Sequence, residues 1–203
     1  MAVLPMFPLG SVLLPTTLLP LRLFEERYLA LIRDVLEAER DFGVALIERG
    51  HEVGGGDART NVGCVAQVLQ AEDQGEMWHV IAVGTRRFVV DRWLDDDPYP
   101  RAEVTILEEP PAEPGDEEMY RSAVAKLETI LALLGESGRQ TAPIPDLADD
   151  PALGSFQVAA LAPFGPFDRQ QLLQALGPSD RLTLLHDLLD GTAEDLRSQL
   201  RLG

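Results

Sequence analysis

The first charged side chain of this protein is Arg22, and the 21 residues before it, MAVLPMFPLGSVLLPTTLLPL, contain Pro5, Pro8, Pro15 and Pro20. An uncharged stretch of that length suggests a membrane-spanning helix or a secretory signal. The prolines argue against the helix, because each lacks an N–H and forces its predecessor out of the α region. A span needs about 20 helix-competent residues in a row. A secretory signal carries its positive charge ahead of the apolar core, and here the first cation follows it. What remains is a series of short apolar pieces broken by proline, Gly10 and the Thr16-Thr17 pair. That pattern predicts extended segments and turns that become buried in a β structure.

A chain of 203 residues can bury one large core or two smaller ones. Its 34 acidic and 17 basic residues give a net charge of −17, divided as 18 against 10 over residues 1–108 and 16 against 7 over 109–203. Both halves are acidic, so neither attracts nucleic acid or an anionic membrane surface. The lone Cys64 excludes an internal disulfide and fits a reducing, cytoplasmic setting.

Beyond the opening, EERYLALIRDVLEAER (25–40) places Tyr28, Leu31, Ile32, Val35 and Leu36 on one face of an amphipathic helix. Strand-like runs follow at 42–48, 61–72, 77–84, 86–94 and 101–107, with a Gly-rich loop at 54–56. Enrichment in Val, Ile and aromatics with Gly or Asp punctuation predicts a small closed sheet, mostly antiparallel. Within 86–94, strict alternation puts Phe88, Val90 and Leu94 on the buried face, opposite Arg87, Val89, Asp91 and Trp93. The acidic, Pro-rich run EEPPAEPGDEE (108–118) marks a composition shift, after which the strand signal disappears. Helices are expected over 119–134, ended by Gly135, and over 155–162. Two more are expected from Asp168 as a cap and along the Leu182, Leu185, Leu189, Leu196 and Leu200 stripe. This organisation divides the chain into a β-rich part, 1–110, and a helical part, 111–203.

Catalytic patterns are weak. Ser122 and Lys126 are four residues apart on one expected helix, but a Ser–Lys pair needs a desolvated lysine and an oxyanion hole, and Glu118 and Arg121 beside them indicate a solvated face. His51, His79 and His186 lack ligand spacing, so no metal site is expected, and Cys64 fits a small buried hydrophobe. Gly54–Gly56 is not framed by a strand and a helix as phosphate binding requires, and Asp95-Asp96-Asp97 lacks the rest of a calcium loop. No phosphate-binding G-x-x-x-x-G-K-[ST] motif is present, because Lys126 is the only lysine. No catalytic residue and no cofactor is expected.

The opening, PMFPLGSVLLPTTLLPLRLFEERY, resembles the start of the Lon protease N-terminal domain, with Pro5, Phe7, Pro8, Leu9, Leu14, Pro15, Pro20, Leu21, Phe24, Glu25, Arg27 and Tyr28 at its signature positions. Asn61-Val62-Gly63 is similar to the family's V-G-T strand, and Gly84, Arg87 and Phe88 to its G-x-x-R-F turn. Tyr99, Arg101 and Ala102 resemble its Y-x-x-A segment, and 166–173 with 180–189 resemble its later helices. The resemblance implies an α+β fold, a PUA-like β pseudo-barrel with one packed helix followed by a C-terminal helical bundle. It also implies that Pro8, Pro15, Pro20, Leu21, Phe24, Glu25, Arg27, Tyr28, Gly63, Gly84, Arg87 and Phe88 are scaffold, with Phe24 and Tyr28 as core anchors. The chain ends where a Lon ATPase and protease would begin, so the expectation is a free-standing module without either activity.

The function this implies is non-enzymatic binding of unfolded or tagged polypeptides, as an adaptor in protein quality control with a protease as partner. A homodimer is left open. No nucleic acid and no membrane is expected as a partner. Trp93, with Tyr99 and Val89, is the candidate peptide-binding surface, since a large aromatic on a polar strand face is a common interface anchor. Two other readings stand beside it: a hydrolase or small-molecule enzyme with an unrecognised site, and an RNA binder of the PUA-like class. The second lacks the basic strip with stacking aromatics that RNA requires.

Overall fold

The computed structural model describes residues 2–38, 41–49 and 58–202, and the chain separates into two compact units, 1–108 and 109–203. In the first unit the proline-broken opening forms β1 (Ala2–Leu9) and β2 (Leu18–Leu23). Between them the chain turns at Pro15-Thr16, where Thr16 takes a left-handed φ of 67°. The turn is held because the Thr17 hydroxyl donates to the Leu14 carbonyl (2.7 Å), and Gly84 pairs with Thr16 and Thr17 through its backbone (2.8 and 2.9 Å). Any Cβ on Gly84 would overlap the Leu14 carbonyl, so only glycine lets the two backbones approach this closely.

The helix α1 (Glu26–Glu37) leads into β3 (Phe42–Arg49), β4 (Ala58–Asp73), β5 (Trp78–Leu94) and β6 (Arg101–Ile106). The sheet order is β2-β5-β4-β3-β1-β6, with β5 also pairing with β6. Among the described strands only β1 and β3 are parallel. The β5–β6 pairing closes a ring of five strands, and β2 is joined to it through the first half of β5. Met6, Ala45, Val65, Phe88, Val90, Ala102 and Val104 fill the interior. Gly63 makes room for Phe88, since a Cβ there would strike both that ring and the Val44 carbonyl. The expected α+β pseudo-barrel is what forms.

Two register shifts change which side chains point inward. The expected turn at 83–88 is instead continuous strand, with an extra β5 residue between the pairs Ala66–Gly84 and Cys64–Arg87. Arg87 and Phe88, in consecutive register with Cys64 and Gly63, point to opposite faces of the strand, and both are buried. A second extra residue lies between Val90 and Arg92, opposite Val104 and Glu103. Each bulge inverts the alternation beyond it. Trp93 consequently packs against the core cluster with Phe88 and Val90 rather than facing away from it.

α1 buries Tyr28, Leu31, Ile32 and Val35. The Tyr28 ring lies 4.4 Å from that of Phe7, which in turn meets Phe42 edge-on at 6.3 Å. Phe24 is not a core anchor, being 63% exposed. The helix begins only at Glu26, so Phe24 lies in extended chain, and the four-residue spacing that would stack it under Tyr28 does not apply.

The second unit contains α2 (Asp116–Glu136), α3 (Pro151–Leu161), α4 (Pro166–Gln174) and α5 (Pro178–Leu202). α2 runs one residue past Gly135, and α5 passes Gly191 unbroken. Asp150 caps α3 by accepting from the Ala152 N–H (3.0 Å). α4 starts at Pro166 with Gly165 before it, so Asp168 sits in its first turn and is not its cap. The fully buried Arg181 joins these elements. Its guanidinium lies 3.5 Å over the Phe156 ring and donates to the Ser155 hydroxyl (2.8 Å), the Ala152 carbonyl (2.9 Å) and the Glu109 carboxylate (2.5 Å).

Chemical denaturation should separate the two motif aromatics. Tyr28→Ala is expected to cost about 3–5 kcal/mol, as for other large buried aromatics. Phe24→Ala should stay within about 0.5 kcal/mol of wild type, as exposed substitutions do. Equal losses for the two would mean that Phe24 is buried in solution.

Candidate functional site

The ring leaves one strand exposed at its side. β2, of sequence LLPLRL, pairs with β5 along one edge and has no strand on its other edge among the described residues. Its alternate residues Leu18, Pro20 and Arg22 are exposed, and Leu18 is 61% exposed. An apolar edge strand is ordinarily covered or blunted with charge, so this one calls for a reason.

Two depressions meet at β2. The first, of about 210 Å³, is lined by Phe7, Pro8 and Leu9 from β1, by Pro20–Leu23, and by Phe24, Glu25 and Tyr28 leading into α1. The second, of about 550 Å³, lies over the sheet, where the register sets Pro20, Ile81 and Gln70 in one cross-strand row and Arg22, His79 and Glu72 in the next. Leu18, Phe24, Leu69 and Ile81 are the large apolar side chains exposed around them, with Leu69 where β4 bulges opposite β5. The His79 Nε2 is buried without a hydrogen-bond partner in the second depression. Clustered exposed apolar groups with a polar rim are typical of interaction sites.

The residues proposed from sequence for peptide binding do not line either depression. Trp93 is half-buried, with the Arg59 guanidinium 4.7 Å over its ring and Arg59 in turn 3.8 Å from Asp96. Tyr99 is buried and its hydroxyl donates to the Asp34 carboxylate on α1 (2.6 Å), so it cannot act as an accessible anchor. Val89 is half-buried between Val62 and Thr105. Of the residues assigned to scaffold, Pro8, Pro20, Leu21, Phe24, Glu25 and Tyr28 line the first depression. Arg27 donates to the Glu25 carboxylate (3.1 Å) and lies 4.4 Å over the Tyr28 ring, fixing the α1 entry. Pro15 and Gly84 shape the turn before β2.

Lys126 is paired with Asp190 (2.6 Å), and Ser122 is exposed, so they do not form a nucleophilic pair. His186 meets the Met119 carbonyl through its Nε2 (2.9 Å). Among the described residues no group of three or more His, Cys, Asp or Glu could hold a metal, and His51 and Gly54–Gly56 lie outside those residues. Burial pushes the Cys64 thiol up to about 12, which leaves almost no thiolate at neutral pH. No described helix is long and apolar enough to cross a membrane.

Residues 3–191 match the ATP-dependent protease La (LON) substrate-binding domain. The chain belongs to this family. It is 28% identical over 202 residues to the Lon protease of Anaeromyxobacter dehalogenans, covering 97% of this chain and 24% of that one. It is 30% identical over 199 residues to Lon protease 2 of Herpetosiphon aurantiacus, covering 92% and 23%. The chain thus spans about a quarter of the length of these relatives. Among solved structures, a Lon N-terminal domain protein from Xanthomonas campestris superposes with a TM-score of 0.68 at 30% identity, over 92% of this chain and 98% of that one. The N-terminal domain of the Mycobacterium avium complex Lon protease shares the fold, with a TM-score of 0.66 at 19% identity over 93% and 98%. What this LON-family chain matches is the substrate-binding region of those proteases.

Because Cys64 ionises near 9.0 when unfolded and only near 12 when folded, its contribution to stability is full below pH 9 and is lost as pH rises from 9 to 12. Iodoacetamide at pH 8 should therefore label Cys64 only as fast as the chain opens, with labelling rising sharply in denaturant. Rapid labelling of the native protein would contradict its burial.

Proposed function

We propose that this chain is a substrate-recognition module that holds extended or unfolded polypeptide at the β2 edge, acting as an adaptor in proteolysis and carrying out no chemistry itself. The observation that supports this most is the exposed apolar set Leu18, Phe24 and Ile81 around two depressions in a member of a substrate-binding family. An unfolded client presents apolar side chains and unpaired backbone groups, and the β2 region offers both apolar area and a free sheet edge. The net charge of −17 favours neutral or cationic segments and disfavours RNA.

Fluorescence anisotropy with a labelled, permanently unfolded protein tests the reading. Burying a Phe or Ile side chain contributes about 1.5–3 kcal/mol, so Phe24→Ser and Ile81→Ser are each expected to weaken binding by about tenfold or more. Melting of Phe24→Ser should be unchanged, since that side chain is 63% exposed, while Ile81→Ser, at a position 38% exposed, should melt lower but remain folded at the temperature of the measurement. Wild-type affinity in the Phe24→Ser, Ile81→Ser double variant would overturn the site.

A further inference from the structure

Resting on the reading above, the backbone of β2 specifies how a client is held. Backbone groups in an antiparallel pair alternate between facing the partner and facing away. Gly84 turns both its N–H and its C=O toward the Thr16-Thr17 segment, so the residues of the same parity on β5, Ala82, Val80 and Trp78, also face β2. Their partners Leu19, Leu21 and Leu23 are the bonded ones. Leu18, Pro20 and Arg22 therefore direct their backbone groups to the edge that no described strand covers. Proline at the middle outward position fits this parity, because its missing N–H takes nothing from the ladder to β5.

We infer that this edge takes a segment of unfolded client as an added antiparallel β-strand, bonded through the N–H and C=O of Leu18 and Arg22 and the C=O of Pro20. The occupant is an extended, apolar, proline-free segment with cationic flanks. Its alternate side chains lie against the first depression, whose lining includes Phe7, Leu21 and Phe24. The preference for cationic flanks follows from the excess of 18 acids over 10 bases in residues 1–108, since within the depressions Arg22 stands beside Glu25 and Glu72 and Arg27 pairs with Glu25. A second copy of this chain is the poorer occupant. Two β2 strands meeting about a central twofold would set Pro20 against Pro20, and both chains carry −17.

The experiment uses the whole chain and synthetic peptides of roughly eight residues, apolar with a Lys at each end, the length of an ordinary strand. In one version the odd-numbered amides are N-methylated, and in another the even-numbered ones. Strand addition uses one edge of the peptide, so one version should lose at least tenfold in affinity while the other stays within about threefold of the parent. On the protein side, Arg22→Pro deletes an outward N–H without touching the β5 ladder and should bind at least tenfold more weakly than Arg22→Ala, which removes the same side chain and keeps that N–H. Circular dichroism and melting check that Arg22→Pro is folded, and the methylated peptides decide the matter if it is not. Equal tolerance of both methylation patterns would overturn strand addition while leaving the apolar site intact. Failure of both the parent peptide and a full unfolded client to bind would overturn the site itself. A dimer in sedimentation that Arg22→Pro dissolves would assign the edge to self-pairing instead.

Discussion

The first unit depends on one strand serving two partners. β5 runs 17 residues without a break and keeps β4 along one side, while its other side passes from β2 to β6. That handover closes the ring and gives Met6, Phe88 and Val104 an enclosed interior. It also leaves β2 without a place inside the ring. A strand held through half of a neighbour has a second edge that must face something other than the barrel. The exposed apolar edge is thus a consequence of how the core closes.

Bulges make the handover possible. A regular 17-residue strand would keep a single inward face, but β5 changes pairing geometry at Gly84–Arg87 and again near Asp91. Each extra residue increases twist and resets which side chains point inward. The consequence is visible in Trp93, drawn onto the core by the extra residue between Val90 and Arg92. The turn at Pro15-Thr16 follows the same logic, since Gly84 accepts the chain crossing over it only because it has no Cβ.

The helical unit is organised around a charge. Arg181 is fully buried and holds α3 through Ser155, Ala152 and Phe156 while binding Glu109 at the start of the unit. Asp116 reinforces the same corner by accepting from the Glu113 N–H (2.7 Å) and the Ser179 hydroxyl (2.9 Å). Such an arrangement contributes less to stability than a well-packed apolar cluster, because desolvating the ions offsets much of their attraction. What it provides is geometry: the guanidinium has fixed donors, and its Nε and one terminal nitrogen are directed at particular groups of α3 and at Glu109.

Local chemistry was legible in the residues themselves. Prolines without N–H groups forbade a helix at the start, apolar stripes at helical spacing marked α1, α2 and α5, and the acidic net charge disfavoured nucleic acid, because each of these effects acts over a few residues or by simple sum. The family resemblance carried the pseudo-barrel. The candidate site was only half legible. Pro20, Leu21, Phe24 and Glu25 stood out as motif residues, yet they pointed to scaffold, while alternation pointed to Trp93 as the surface anchor. Alternation fails across a bulge, and whether a bulge exists depends on the partner strand rather than on β5 alone. Phe24 was misread because a helix that starts two residues later removes it from the buried face. By itself the sequence determined which segments extend, which coil into helices and what charge they carry. Which edge of which strand remains open was decided only by tertiary pairing, because an edge is defined by the neighbour that is missing.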